Sequence, residues 1–459
     1  MRQDTSSPNY HRQDLGDILS EILRAADWRR VHQAGRAFEA HRTRWKLGAL
    51  IRVALFMALS HTRTLKERFA ESRATVQALR SHRRGCGETA EGYLAALAQL
   101  PPGVVAVLRE RMQAYVKRRG LEPARVGRFL AYGFDGTKQN MPLTEANLAH
   151  FGSVTKKPRR PQRVVLAAVA LGRCQLWDWE CGLADASERE LAERVGRRLP
   201  AGALEVCDAG FVGYEHLRGT VAAGRHVLVR VGAHCRFLVR RGYHFERQGE
   251  EVWLWPKDRR GEAPLRLRLL RVCRKRRRRV GKQRRRLVRY EELWLATDLL
   301  DPAALTLEEA RDLYKLRWPG NEVGFRQWKH VLVAENLLGR TPGEVEREAD
   351  FSLLALMALQ ATVQVTRAQR GWEEKTASVA EARRVWLAAG RATLAAQSSV
   401  WCGRKLAACV LDEYVRQGPK AKRRWAARKP HRPLGRPRFR RMPKSLYVKG
   451  CKHLQGVVT

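Results

Sequence analysis

The chain has 459 residues, 44 % of them hydrophobic, which is enough for roughly two to four domains with sizeable cores. Its 89 lysines and arginines exceed its 46 aspartates and glutamates, leaving a formal net charge of +43. A compact protein with this excess repels itself unless a polyanion relieves the repulsion, so nucleic acid is the expected partner and an anionic membrane the weaker alternative.

Neither a membrane span nor a secretory signal is predicted. The most apolar stretches, residues 164–171 and 353–359, are shorter than the roughly 20 residues that a spanning helix needs. The first 16 residues are polar and mixed in charge, unlike a signal peptide. The nine cysteines form no Cys-x-x-Cys pair, so we interpret them as reduced thiols of a cytoplasmic protein, not as disulfides or a zinc site.

Residues 1–122 are predicted to form a helical domain that contacts DNA. Apolar residues recur at helical spacing over residues 15–23, 47–58 and 104–115. Basic residues lie between them: Arg29, Arg30, Arg42, Arg44 and Lys46. A DNA-binding bundle and a packing domain with a solvated basic face fit this pattern equally well.

Residues 123–222 are predicted to form the first part of a mixed α/β core. Strands are expected at residues 128–135, 163–172, 174–181 and 203–207. A helix is expected over residues 187–199, with Ser187 as its N-cap. Strands followed by a helix and a further strand indicate a mixed sheet with flanking helices.

Residues 223–300 are predicted to form a β-rich insertion. Its strands are expected at residues 226–231, 237–241, 252–255, 265–272 and 291–296. Twelve of the nineteen residues from 271 to 289 are basic. This density favours a hairpin whose arginines, including Arg276, Arg277 and Arg278, bind DNA phosphates; a solvated hairpin tip is the alternative.

The rest of the chain is predicted to be helical, with a basic end. Residues 301–372 would complete the core through helices at 307–318, 321–335 and 351–369. Residues 373–459 form a helical and basic region. Residues 416–449 contain fourteen lysines or arginines and five prolines, which predicts a mobile tail over 416–459 without a core.

Three acidic residues stand out in this basic chain. Asp135 and Asp208 each follow an apolar run, and Glu322 begins a predicted helix. Carboxylates at the carboxyl ends of strands face the ligand-binding crevice of open α/β sheets. Together they predict a site for two Mg²⁺ ions about 4 Å apart, replaceable by Mn²⁺, that assists phosphoryl transfer. Each acid alone also fits a turn or a helix N-terminus, so the prediction depends on their joint order.

The residues around Glu322 make this prediction more specific. Glu322 and Lys329 are seven residues apart, so in a regular helix they share a face. From that face Glu322 could bind metal while Lys329 contacts a DNA phosphate. Tyr314 and Arg317 on the preceding helix are expected to contact the same DNA backbone, as is Arg326. The sequence leaves open whether Tyr314 is instead a nucleophile.

The pattern Tyr314-x2-Arg317 followed by Glu322-x6-Lys329 resembles insertion-sequence transposases of the type-four family. The resemblance covers roughly residues 128–360 and includes two further blocks: Asp135-Gly-Thr with Pro142, Thr144-Glu-Ala-Asn147 and Phe151-Gly152, and Leu204 to Tyr214 around Asp208. It implies an RNase H-like fold with a β-rich insertion and a DDE triad that cleaves and joins DNA without a covalent enzyme intermediate. It also implies double-stranded DNA partners, terminal inverted repeats and target, bound by a homodimer.

Two positions depart from the family pattern. Four residues, instead of three, separate Arg317 from Glu322, so strict counting places Asn321 in the catalytic position. The intact spacing to Lys329 favours Glu322, with Pro-Gly absorbing the extra residue in a turn. Ala209 stands where many relatives have a basic residue, which leaves one phosphate contact open.

Other functions were weighed against this one. A non-catalytic DNA-binding protein derived from a transposase would keep the basic surfaces, and a resolvase or nuclease of the same fold would lack only strand transfer. A ribosomal or RNA-packaging protein explains the charge but not three acids in this order. The sequence has no P-loop motif, so an ATPase is not predicted.

Overall fold

The computed structural model describes residues 14–22, 25–40, 44–60, 62, 64–79, 86–119, 121, 125–154, 160–239, 250–254, 264–280, 285–332, 337–411 and 435–441. The chain divides into two compact units. The first consists of Met1–Ala124, Gly136–Ser187 and Pro319–Asp412. The second consists of Arg125–Asp135, Glu188–Trp318 and Glu413–Thr459.

Among the described residues, helices precede and follow a region that contains most of the strands. The α-helices are α1 (Leu15–Ile22), α2 (Ala25–Ala34), α3 (Arg36–Ala40), α4 (Leu47–Leu59), α5 (Leu65–Leu79), α6 (Ala90–Ala98), α7 (Pro102–Lys117), α8 (Glu145–Phe151), α9 (Glu188–Gly196), α10 (Tyr214–Ala222), α11 (Leu307–Arg317), α12 (Val323–Arg326), α13 (Pro342–Ala368), α14 (Val379–Leu394) and α15 (Cys402–Ala408). The strands are β1 (Ala131–Asn140), β2 (Gln162–Ala170), β3 (Gln175–Leu183), β4 (Leu204–Cys207), β5 (His226–Val231), β6 (Arg236–Val239), β7 (Glu250–Leu254), β8 (Leu265–Val280), β9 (Arg285–Thr297) and β10 (Arg438–Arg441).

The first unit is built around helix α13. This helix packs against α4, α6, α7, α14 and α15, so the N-terminal helices and the later ones share one hydrophobic core. By length and composition α13 could cross a membrane, but its apolar stretch is wholly buried by the protein around it. Among the described residues, α1, α4 and α7 confirm the helices predicted at residues 15–23, 47–58 and 104–115.

A hairpin of β2 and β3 packs on α13 in the same unit. The two strands are antiparallel, with a bulge between Ala168 and Val169. The Gln360 side chain of α13 accepts a hydrogen bond from the Leu176 backbone N–H (2.9 Å). From α7, Gln113 donates to the Trp177 carbonyl (2.7 Å). The β-branched, buried sequence of β2 explains why it forms a strand with both faces covered.

The second unit contains a large mixed sheet in the strand order β10-β6-β7-β8-β9-β5-β4-β1. β1, β4 and β5 are parallel neighbours, whereas β5 to β9, β9 to β8, β8 to β7 and β7 to β6 are antiparallel. Helices α9 and α10 lie between β3 and β5 in the chain and give the sheet the helical connections that parallel strands require. The predicted mixed α/β class is therefore confirmed.

Two basic segments differ from expectation. The predicted strands 265–272 and 291–296 are parts of a longer ribbon of β8 and β9, in which the backbones of Arg276, Arg277 and Arg278 pair with β9; their side chains lie outside the described residues. Most of the predicted mobile tail also lies outside them. Its described part, however, includes β10, which pairs in parallel with β6, so this part is not a coreless arm.

Residues next to β10 in the sequence contact aromatic side chains. The guanidinium of Arg436 lies 5.9 Å from the ring centre of Trp294 and 5.4 Å from that of Phe439. Pro437 is buried. Cation–π contacts of Arg436 thus accompany the pairing of this short segment, and overall composition did not predict them.

Candidate active site

Asp135 and Asp208 lie side by side in the second unit. Strands β1 and β4 are parallel, and the last paired residues are Phe134 and Cys207. Asp135 and Asp208 directly follow these residues on neighbouring strands, so the sheet register brings two of the three predicted acids together. We predicted that this strand ends at Asp135. In the structure, β1 continues to Asn140.

Arg317 forms an ion pair with one of these two aspartates. Its Nη1 atom lies 3.1 Å from Oδ2 of Asp135, and both side chains are mostly buried. Burial by itself lowers the pKa of Arg317, but Tyr314, Asp135 and Asp208 together raise it above its usual value. The predicted DNA contact is therefore, in this structure, an ion pair that offsets the charge of the carboxylates.

Helix α11 presents Tyr314 and Arg317 to this site. The helix begins at a capping box, in which Thr306 and Glu309 satisfy each other's backbone N–H groups. The guanidinium of Arg317 lies 5.6 Å from the ring centre of Tyr314. Burial raises the pKa of the Tyr314 phenol, although Arg317 and Arg230 oppose the shift. The phenol therefore stays protonated at neutral pH.

Arg230 is a site residue that the sequence analysis missed. Strand β5 runs parallel to β4, with Val229 opposite Cys207. Arg230 therefore follows in the same row as Asp135 and Asp208, and its charge influences Tyr314. The prediction of a strand at residues 226–231 was right, but only the register across three strands shows that its arginine lies at the same end of the sheet as the aspartates.

The turn after Asp208 carries further hydrogen-bond donors. Oδ1 of Asp208 accepts from the Gly210 N–H (2.8 Å) and caps the 3₁₀ turn Ala209–Phe211. Arg189 donates through Nε to the Gly210 carbonyl (2.9 Å), and His234 Nε2 lies 3.2 Å from the Ala209 carbonyl. The cationic side chain of Arg189 thus lies beside the turn that contains Ala209.

Glu322 belongs to the first unit and lies at the end of a π-helical turn, Trp318–Glu322. A π-turn closes i→i+5 hydrogen bonds and so holds one residue more than an α-turn. Residues 318–322 form such a π-helical turn instead of the predicted Pro-Gly turn before a new helix. Asn321 is 1 % exposed, whereas the Glu322 side chain is 53 % exposed. Of the two, only Glu322 can reach a ligand in solution.

Close packing fixes the inner side of this turn. A Cβ on Gly320 would lie 3.0 Å from Leu171 Cδ2 and 3.3 Å from Val169 Cγ1, so the turn approaches β2 more closely than other residues allow. Further along, Trp328 Nε1 donates to Ser352 Oγ of α13 (2.7 Å). These contacts bury Gly320 and Asn321 and leave Glu322 facing outward.

Lys329 and Arg326 occupy the same helical segment. Lys329 Nζ donates to the Lys138 carbonyl (2.6 Å), and Arg326 Nη2 lies 3.6 Å from Glu322 Oε1. A second π-helical stretch, Gln327–Val331, follows α12. We expected Glu322 and Lys329 to share a face because a regular α-helix was assumed. The segment contains π-helical turns, so a spacing of seven residues no longer implies a shared face. The meeting of Glu322 with Asp135 and Asp208 stays a prediction.

Comparisons with known proteins complete the description of the site. No family model matches the sequence, and the search of curated proteins finds no match. Among solved structures, the chain is similar to piggyBac transposase in a cryo-EM structure of its synaptic complex with hairpin DNA. The two chains are 9 % identical over 86 % of this chain and 85 % of that chain, with a TM-score of 0.41.

Proposed function

We propose that this protein is a DDE-type DNA transposase of the type-four insertion-sequence group, with an RNase H-like core. It would cleave strands at the ends of its element and join them to target DNA, in the bacterial cytoplasm. The observation that supports this best is the pair of carboxylates, Asp135 and Asp208, placed next to each other by parallel strands and accompanied by Arg317.

The residues of the proposed site suit Mg²⁺. Asp135 and Asp208 offer only oxygen donors, and both are partly exposed, so hydrated cations can reach them. With Glu322 they would hold two Mg²⁺ ions, or Mn²⁺ in their place. Bound there, the ions would supply charge stabilisation to the attacking and leaving oxygens of phosphoryl transfer.

The chain's own side chains would position the DNA. Arg317 and Arg230 lie beside the carboxylates and can bind phosphate oxygens through the planar guanidinium group. The protonated Tyr314 hydroxyl can donate to the same phosphate. Lys329, Arg326 and the ribbon arginines Arg276, Arg277 and Arg278 would contact the DNA backbone further away, in keeping with the net charge of +43.

The substrates would be the inverted repeats at the ends of the element and a double-stranded target, held by a homodimer. The test uses DNA that carries the sequences flanking the gene. Purified protein with Mg²⁺ should nick this DNA, and Asp135→Asn and Asp208→Asn should each reduce nicking by about a hundredfold or more. Asp185→Asn, at an exposed aspartate of the first unit, is the matched control and should keep full activity. Equal nicking by Asp135→Asn and the wild type would refute the site.

A second candidate is a non-catalytic DNA-binding protein derived from a transposase. The ion pair between Arg317 and Asp135 favours it, because the guanidinium pairs with a carboxylate that a metal ion would otherwise bind. This protein would bind the same DNA with a strong salt dependence but would not cleave it with Mg²⁺ or Mn²⁺. The nicking assay therefore separates the two functions.

A further inference from the structure

Three potential metal ligands meet in the second unit, next to the carboxylate pair: Cys207, one of the three, directly precedes Asp208. Glu205 and Cys207 alternate along β4 and therefore project from the same face of the strand. His216, on the first turns of α10, completes the group. The donor atoms of the three side chains all lie within 4.8 Å of one another, and the residues are 0 %, 1 % and 6 % exposed.

His216 points to a missing ligand in this group. Neither of its ring nitrogens has a hydrogen-bond partner among the described residues, although the side chain is buried. Burial lowers the pKa of His216 to about 4, and Arg189 contributes to the shift, so the imidazole is neutral at neutral pH. A neutral imidazole has one lone pair to give, and leaving it without a partner in the interior costs free energy. A metal ion would satisfy it.

The surroundings of Glu205 resemble the outer shell of a metal site. Arg225 Nε donates to Glu205 Oε1 (2.8 Å), and Thr220 Oγ1 lies 3.3 Å from Oε2. Such hydrogen bonds hold a ligating carboxylate in one orientation. A Cβ on Gly196 would lie 2.9 Å from Glu205 Oε1, so this glycine makes room for the arrangement. The guanidinium of Arg225 also offsets part of the negative charge of a carboxylate and a thiolate.

We infer that Glu205, Cys207 and His216 form a zinc site. One sulfur, one nitrogen and one oxygen donor make a set that Zn²⁺ accepts and that Mg²⁺ does not. In a tetrahedral zinc site the donor atoms are about 3.5 Å apart, so the side chains need to close in only slightly. The ion would tie β4 to α10 directly before Asp208. The expectation of no zinc site rested on Cys-x-x-Cys spacing, whereas here the ligands alternate on a strand and continue on a helix.

Cobalt provides the direct test. Metal-free full-length protein is titrated with Co²⁺, whose bond to a thiolate gives a charge-transfer band in the near ultraviolet. We expect one equivalent of Co²⁺ to produce the band and one equivalent of Zn²⁺ to abolish it. Cys207→Ser should lose the band, and the control Cys235→Ser, at another buried cysteine of the same unit, should keep it. A folded wild-type protein that shows no such band would overturn the proposal.

Further variants separate this site from the carboxylate pair. The double variant Asp135→Asn and Asp208→Asn should keep the band, because Mg²⁺-type ligands are not involved; loss of the band there would also overturn the proposal. Glu205→Gln should weaken Co²⁺ binding by about tenfold or more. Circular dichroism checks that each variant is folded. If Cys207→Ser is not, His216→Gln replaces it, and an unchanged band in His216→Gln counts against the site.

Discussion

The acidic residues of the two units are held in place by different kinds of structure: Asp135 and Asp208 in the second unit, and Glu322 in the first. Asp135 and Asp208 follow the last paired residues of two regular strands, and Arg317 lies 3.1 Å from one of them. Glu322 ends a π-turn within an irregular helical segment, is 53 % exposed and has Arg326 3.6 Å away. The first arrangement is held by sheet register, and the second by packing of the residues just before the acid.

This difference shows how each region tolerates change in sequence. A one-residue insertion in a strand reverses the faces of all later side chains, so strands offer no freedom at Asp135 and Asp208. A helix can absorb one extra residue as a π-turn. Here the turn depends on Gly320 and Asn321, whose burial against the first unit's core leaves Glu322 outside.

The largest effect is expected from Glu322→Gln. The loss of one carboxylate from the proposed metal site should reduce DNA nicking by about a hundredfold or more. Because Glu322 is exposed, the melting temperature should not change. Glu308→Gln, at an exposed glutamate of α11, is the control. Nicking assays and thermal melts check both variants. Full activity of Glu322→Gln would mean that Glu322 is not a metal ligand of the proposed site.

The second prediction compares the two ion pairs. Arg317→Ala removes the ion pair with the mostly buried Asp135 and should lower the free energy of unfolding by about 2 to 3 kcal/mol. Arg326→Ala removes only an exposed pair with Glu322 and should cost less than about 0.5 kcal/mol. Urea denaturation measures both. Equal losses would mean that the two regions hold their acids with similar strength.

The third prediction concerns the π-turn. Gly320→Val inserts atoms where Leu171 and Val169 leave no room, and it should cost about 1 to 2 kcal/mol of unfolding free energy. Gly324→Val is the matched control, because a Cβ there meets nothing within 4 Å; we expect it to be near neutral. Both values come from urea denaturation. A stable Gly320→Val protein would show that packing on β2 does not fix the turn.

The smallest effect is expected at the opposite end of the parallel strands. His226, which begins β5, lies 2.8 Å from Asp298, and this hydrogen bond raises the pKa of His226 above 6.5. The stabilisation is complete below pH 6.5 and is lost as the pH rises through the folded-state pKa. Because His226 is one-third exposed, we expect less than about 1 kcal/mol. His226→Gln should flatten this decline in urea denaturation above pH 6.5; an unchanged pH profile would rule the pair out.

Much of the fold is visible in the sequence. The strand predicted at residues 226–231 has the same bounds in the structure, and the helix predicted over residues 307–318 differs by one residue. Asp135 and Asp208 were placed together correctly, because apolar runs that end in an acid indicate neighbouring strand ends in an α/β sheet.

The rest depends on contacts between residues that are distant in the chain. Arg230 and His216 joined their clusters only through the register of β5 and the packing of α10, and neither leaves a local pattern. The π-turn at Glu322 has no periodicity of its own, so counting residues suggested a turn. Composition predicted a mobile tail, yet Phe439 and its arginines add a strand to the sheet.

Strand β10 influences whether copies of this protein associate through the edges of their sheets. It is the outermost strand of the second unit's sheet, and its four residues are three arginines and Phe439. An outermost strand has unpaired backbone groups to which a strand of another molecule can add, the first step towards aggregation. A second copy of β10 would bring arginine next to arginine there. Repulsion between like charges would oppose the addition of a second copy of this strand, and the exposed Arg438 and Arg440 can bind an anionic partner.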